Sequence, residues 1–300
     1  GDKIVRLMAV GSYVWVMKER SIEVWGLAGT GSSAWAPIGG AVYEIGLRDF
    51  RLCCAVPGGL FFVGHDNVAY LAAGGAPTPV STPPVDQALS DGEPTDCFYY
   101  EDRWHRRSVI RSSGRPALCL GCCMSRWHER AEGPDLGQWG ATASANCYGQ
   151  WHLGGRIGRV WRLGQTPVDA TGVMLRRAVS RTLDPGKRFT AARFEVFGSF
   201  GSAEIEENAP AFLLDEFGLP VTDSDGYPIH MESPEAVTLH KRAPRGWLRF
   251  SRDGGHTWGL PKHRDFGRLG QYETRCSLRA LGQYRTMTAE LNMTDPVVMA

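Results

Sequence analysis

Four stretches of this chain read as aromatic-bearing β-hairpins, and they recur at a spacing of roughly 45 residues, the size of one four-stranded propeller blade. Residues 14–17 turn through Lys18-Glu19-Arg20 into 22–25, and 60–63 turn through Gly64-His65-Asp66-Asn67 into 68–71. A third hairpin pairs 104–110 with 117–120 across Ser112-Ser113-Gly114, and a fourth pairs 151–153 with 158–163 across Gly154-Gly155-Arg156. Each joins two runs rich in aliphatic and aromatic residues through a polar or glycine-bearing turn. The arrangement predicts an all-β fold with about four propeller blades over residues 1–165, forming part of a larger propeller. The 37 glycines, 18 prolines and 10 tryptophans supply the turns and ring-bearing strands that such a fold needs. No stretch reads as an amphipathic helix. The chain starts at Gly1, and residues 4–7 already read as a strand, so it is expected to open inside a longer protein.

After Leu163 the rhythm changes, and residues 166–300 are expected to form a β-rich C-terminal region. Residues 173–183 and 189–200 alternate apolar and polar positions over longer strands than a blade provides. An acidic, turn-rich insertion at 201–236 carries an internal echo, with Asp215 and Phe217 in its first half and Asp223, Asp225 and Tyr227 in its second. These five are candidates for docking a partner. Asp223-Ser224-Asp225-Gly226 has the opening of a calcium loop but lacks the later bidentate carboxylate, so turn formation explains it better. Strands return at 237–240, 246–250, 272–278 and 284–291. Between them, Ser251-Arg252-Asp253-Gly254-Gly255-His256-Thr257-Trp258 has the pattern of an Asp-box hairpin at 251–258. In that turn Asp253 is expected to accept backbone N–H groups of its own loop, with Ser251 and Thr257 beside it. Gly254 and Gly255 free the backbone to take φ > 0, and Trp258 folds its ring over the hairpin.

An Asp-box admits a sialidase-like glycan hydrolase or a non-catalytic glycan-binding propeller. Sialidase chemistry needs an arginine cluster, a tyrosine nucleophile and a carboxylate pair, and its enzymes usually carry several such boxes where this chain has one. No G-x-S-x-G elbow and no phosphate-binding loop is present. Trp127-His128-Glu129-Arg130 lacks the second histidine of a zinc helix, and His128 is read as a surface or strand-end residue. The eight cysteines include the adjacent pairs Cys53-Cys54 and Cys122-Cys123 and a lone C-x-x-C at Cys119 and Cys122. They are read as small buried strand residues of a protein folded in a reducing compartment. No catalytic residue, cofactor or metal is therefore expected. The net charge of +1 gives no chain-wide nucleic-acid footprint. Arg103, Arg106 and Arg107, interleaved with Trp104, are either a solvated strand edge or a basic face toward DNA or a neighbouring subunit. No apolar run approaches the ~20 residues of a helical membrane span.

Several strings then stand in a specific order: Arg20-Ser21-Ile22-Glu23-Val24-Trp25, Trp127-His128-Glu129-Arg130, and Asn146-Cys147-Tyr148 before an aromatic hairpin. Toward the C-terminus come the Asp-box, Gly267-Arg268-Leu269-Gly270-Gln271-Tyr272-Glu273-Thr274-Arg275, Arg279-Ala280-Leu281-Gly282 and Thr294-Asp295-Pro296-Val297. Together they resemble the packaged-DNA stabilisation proteins of short-tailed bacteriophages, the tail hub or nozzle. The resemblance implies a structural virion protein, assembled in the bacterial host cytoplasm. It also implies a homo-oligomeric ring of six copies beneath the portal and its adaptor ring, which extends and seals the channel for double-stranded DNA without sequence-specific binding. Tail fibres or spikes and a needle or plug attach to that ring. Two departures stand out. The family's usual Trp-Arg-Arg-Leu-Gly appears as Leu278-Arg279-Ala280-Leu281-Gly282, and the insertion at 201–236 has no counterpart.

Overall fold

The computed structural model describes residues 2–28, 34–102, 105–122, 125–133, 135–156, 158–164, 168–169, 172–173, 175–198, 211–212, 230–231, 245–266 and 274–293. The chain is all-β, and every strand pairing among these residues is antiparallel. Two units divide it, Gly1–Glu132 with Leu136–Gly164, and Gly133–Asp135 with Gln165–Ala300.

The first unit is a succession of four sheets, each built from consecutive strands. The first contains β1 (Ile4–Val10), β2 (Tyr13–Lys18), β3 (Ile22–Leu27) and β4 (Trp35–Tyr43). The second contains β5 (Cys53–Val56), β6 (Gly59–Val63), β7 (Ala69–Ala73) and β8 (Thr78–Pro79). After the helix α1 (Pro83–Asp91), a third sheet runs through β9 (Pro94–Asp102), β10 (His105–Ser112), β11 (Ala117–Gly121), β12 (Arg126–Glu132) and β13 (Gly137–Gln138). The fourth is β14 (Ala141–Cys147), β15 (Gln150–Gly155) and β16 (Val160–Arg162). Neighbours in sequence are neighbours in each sheet, because turns of a few residues leave antiparallel pairing as the shortest route back.

The period-two side-chain alternation of a strand explains how these sheets stack. All five residues of β6 are buried. Leu60 and Phe62 join Trp15, Met17, Ile22 and Val24 of the first sheet, while Phe61 and Val63 join Ile110 and Leu120 of the third. Each fully buried aliphatic or aromatic side chain contributes about 1.5–3 kcal/mol. The third sheet repeats the device, placing Phe98, Tyr100, Val109 and Cys119 against Ala141 and Leu153 of the fourth. Between the first two sheets the backbone itself comes close. A Cβ added to Gly46 would lie 1.9 Å from the Glu19 carbonyl oxygen, so only glycine fits there.

The helix corrects the expectation that no helix forms. Pro83 and Pro84 occupy the first turn, where a missing N–H costs nothing, and Val85 and Leu89 are buried one helical turn apart. With only two fully buried apolar positions in nine residues the segment carries little periodic signal, and it is the core at Phe61 and Ile110 that selects the helix.

The second unit holds β17 (Val168–Asp169), β18 (Gly172–Val173), β19 (Arg176–Val179), β20 (Phe189–Gly198), β21 (Ala211–Phe212), β22 (His230–Met231), β23 (Arg245–Ser251), β24 (Lys262–Asp265), β25 (Thr274–Tyr284) and β26 (Thr288–Met293). A four-stranded sheet has the order β19-β26-β23-β24, and β20 and β25 pair as a long ribbon. Their facing sides share one core around Leu248, Phe250, Phe266, Leu278, Tyr284 and Met293. Two expected strands differ in extent. Residues 173–183 are interrupted, with only an isolated bridge from Leu183 to Met287 beyond β19. Residues 284–291 are broken by a turn that Thr286 pins, its hydroxyl donating to the Arg252 carbonyl at 2.5 Å. The strand expected at 237–240 lies outside the described residues.

Candidate functional site

The turn between β23 and β24 is closed from within. Ser251 Oγ donates to Asp253 Oδ1 at 2.6 Å and accepts the Gly255 N–H at 2.8 Å. The Thr257 N–H donates to Asp253 Oδ1 at 2.9 Å, and the Thr257 hydroxyl donates to Asp253 Oδ2 at 2.5 Å. Gly254 and Gly255 take φ of 75° and 105°, which side-chain-bearing residues avoid. The Trp258 ring passes 3.6 Å from where a Cβ on Gly255 would stand. The Ser251 and Thr257 hydroxyls, then the Thr257 amide, hold the Asp253 carboxyl well below the usual aspartate range. Both carboxylate oxygens are thus engaged by the turn itself.

Trp258 reaches a second feature that sequence reading misses. On β26, Ala289, Leu291 and Met293 face the core, so Thr288, Glu290 and Asn292 lie on the opposite face. Glu290 is 0% exposed. Its carboxylate accepts from Arg249 Nη2 at 2.6 Å, Arg177 Nη2 at 3.1 Å and Asn292 Nδ2 at 2.5 Å. Arg249 in turn lies over the Trp258 ring, 5.5 Å from its centroid. Burial works to raise the Glu290 carboxyl, but the bonds from Asn292 and Arg249 and the charges of Arg177 and Arg249 outweigh it and hold it below the ordinary glutamate value. The alternation of polar and apolar residues along 287–293 is a sequence signal for a two-sided strand, but it does not reveal that the polar side is buried too.

In the first unit, arginines from two strands and a glycine from the strand between them line a cavity of about 270 Å³. Arg107 on β10 pairs with Gly121 on β11, and Gly121 pairs with Arg126 on β12, so two arginines flank a glycine in one row across the sheet. His105, Arg106, Trp127 and His128 complete the lining. Burial, then the charges of Arg107 and Arg130, push the His128 imidazole down to about 4. His128 sits in the middle of β12 and is half-buried, which corrects its reading as a surface or strand-end residue. Its strand partner Cys119 is fully buried, and that position sinks the imidazole. Arg106 approaches Glu101, with Nε 3.6 Å from Oε1. The sequence signal that reached this cavity was the basic run at Arg106 and Arg107. Arg126 and Gly121 are far along the chain and become neighbours only through register.

The remaining candidates fall elsewhere. Arg103, Asp215, Phe217, Asp223, Asp225 and Tyr227 lie outside the described residues. Cys53, Cys119 and Cys276 are buried, whereas Cys147 is exposed beside Tyr148 at the β14–β15 turn, which corrects its assignment to the interior. Cys54 and Cys97 stand with their sulfurs 3.5 Å apart as free thiols. Among the described residues no three His, Cys, Asp or Glu side chains cluster as metal ligands, and no helix is long and apolar enough to cross a membrane.

No family model and no curated protein matches the sequence. Among solved structures, the chain is similar to the computationally designed Ika4 protein at 14% identity and a TM-score of 0.32, over 54% of this chain and 92% of that one. It is also similar to the designed Ika8 protein at 12% identity and a TM-score of 0.33, over 54% of this chain and 46% of that one. An engineered GH43 glycoside hydrolase with endo-xylanase and exo-arabinofuranosidase activity is similar at 10% identity and a TM-score of 0.27, over 97% and 84%. Likenesses this distant carry no argument about function.

Proposed function

We propose that the chain is a structural, non-catalytic subunit of a short-tailed bacteriophage tail: a hub or nozzle protein. Six copies form a ring below the portal and its adaptor. The ring extends and seals the DNA channel, and fibres, spikes or a needle dock on it. The observation that carries the non-catalytic part is the state of Asp253, whose two carboxylate oxygens are bonded to Ser251 and Thr257. The motif that suggests glycan chemistry therefore serves as a fastening of its own hairpin. Four successive meander sheets, each packed against the next through clusters such as those around Phe62, Phe61 and Tyr100, support the reading of unit one as propeller blades. The ordered strings from Arg20 to Val297 support the tail assignment.

Light scattering on the purified chain, alone and mixed with its adaptor ring, tests this directly. The expected result is a closed oligomer on the adaptor, six-fold in cryo-EM projections. A chain that stays monomeric with the adaptor, and that turns over a fluorogenic sialoside or arabinoside, overturns the reading in favour of a glycan hydrolase.

A further inference from the structure

We propose that the cavity between Arg107, Gly121 and Arg126 is a binding site for a phosphoryl oxyanion. The geometry begins with the glycine. A Cβ on Gly121 would stand 3.1 Å from Arg107 Nη1, so the absence of a side chain is what leaves room between the two arginines. Adjacent strands lie about 4.8 Å apart, so Arg107 and Arg126, on the strands either side of β11, start roughly 10 Å apart at the backbone and bracket a small ligand from both sides. Arginine's planar fork of donors matches the oxygens of such an anion.

The charges are unspent. Arg111, on the same face of β10, is satisfied by Asp96 Oδ2 at 3.3 Å, Thr95 Oγ1 at 3.1 Å and the Trp139 carbonyl at 3.1 Å. Arg107 and Arg126 have no carboxylate within ion-pair distance among the described residues. The buried Arg107 Nε has no hydrogen-bond partner. Proteins seldom leave buried guanidinium donors unpaired, because each carries a desolvation cost with nothing to offset it. Burial first, and the charges of Arg107 and Arg130 second, hold His128 neutral, so it adds no charge of its own to the site.

The aromatic at the site is committed elsewhere. Trp127 Nε1 donates to the Val80 carbonyl at 2.8 Å, and its ring packs 6.4 Å from Phe61. A base or sugar ring therefore has no free stacking partner in Trp127, and the recognised group is the oxyanion itself. At about 270 Å³ the space falls just below the usual range for small-ligand pockets, which suits a phosphate or a phosphate ester end. This site stands independently of the ring reading above.

The test is isothermal titration of the full chain with inorganic phosphate at chloride-balanced ionic strength, and separately with a short DNA duplex bearing hydroxyl ends. One saturable phosphate site per chain is expected. Arg126→Ala, an exposed position whose loss leaves the sheet intact, weakens it about tenfold or more, the loss of one charge-assisted contact. Gly121→Ala weakens it similarly by displacing the Arg107 guanidinium, with the circular dichroism spectrum unchanged. A duplex that displaces phosphate and suffers the same losses identifies a backbone diester as the source. Phosphate binding alone identifies a free or terminal phosphate. If neither binds, or if binding survives both substitutions, the proposal is overturned.

Discussion

Replacing Glu290 by glutamine removes one charge from a fully buried position and leaves the side-chain volume unchanged. The carboxylate accepts two guanidinium bonds, from Arg249 and Arg177, and one from Asn292. A hydrogen bond to a charged group contributes about 1.5–3 kcal/mol and a neutral one about 0.5–1.5, so each arginine bond loses roughly 1 kcal/mol. The arginine side chains are 36% and 34% exposed and recover part of this in water, which keeps the total near 2 kcal/mol. That corresponds to a fall of about 4–8 °C in the melting temperature of a unit of this size. Glu290→Leu also orphans the Asn292 amide, which is 2% exposed, and is expected to cost about 3–5 kcal/mol. The pH dependence has a definite sign. Because the folded carboxyl lies below its ordinary 4.5, the stability it confers is complete above that value and is lost as pH falls through the folded one. Urea unfolding from pH 7 to pH 3, with hydrogen exchange read on peptides from β19, β23 and β26, measures both effects. A Glu290→Gln variant within about 0.5 kcal/mol of the wild type at pH 7, with the same acid slope, refutes the charge knot.

Two other outcomes follow from the described geometry. Asp253→Ala should speed amide exchange at Thr257 and Gly255 from protected toward open-loop rates while the β23–β26 pairing stays protected. In the wild type that protection should persist well below the ordinary aspartate value of 3.8, since the hydroxyls of Ser251 and Thr257 stabilise the ionised form; unchanged exchange in the variant sinks the assignment. Native-state alkylation followed by mass spectrometry should label Cys147 quickly and spare Cys53 and Cys119, whose thiols burial pushes up to about 12 and about 11; equal labelling of all three contradicts the packing.

The fold was legible where its signals are local to one strand and one turn. Gly64 and Asn67 mark a hairpin, and the run from Leu60 to Val63 is apolar throughout because both faces of β6 are covered. The Asp-box was legible for the same reason. All of Asp253's partners lie within four residues of it, so a short pattern encodes the whole hydrogen-bond set. Helix α1 was not, since Val85 and Leu89 alone make too short a stripe and the surrounding sheets decide its conformation.

The two charged features show where such reading stops. Arg177 and Glu290 are 113 residues apart and meet only because β19 and β26 pair in one register. Shifting that register by one residue would turn Glu290 toward Leu248 and Phe250, so the knot depends on pairing that no segment carries alone. The basic cavity has the same logic. Along the chain, Arg106 and Arg107 look like the solvated edge of one strand, yet both line the cavity, Arg106 while also approaching Glu101. What makes Arg107 part of a site is a glycine on the next strand and an arginine on the one beyond, aligned in a single row. Charge density in the sequence therefore located the strand, while strand register decided which residues of the neighbouring strands complete the cavity.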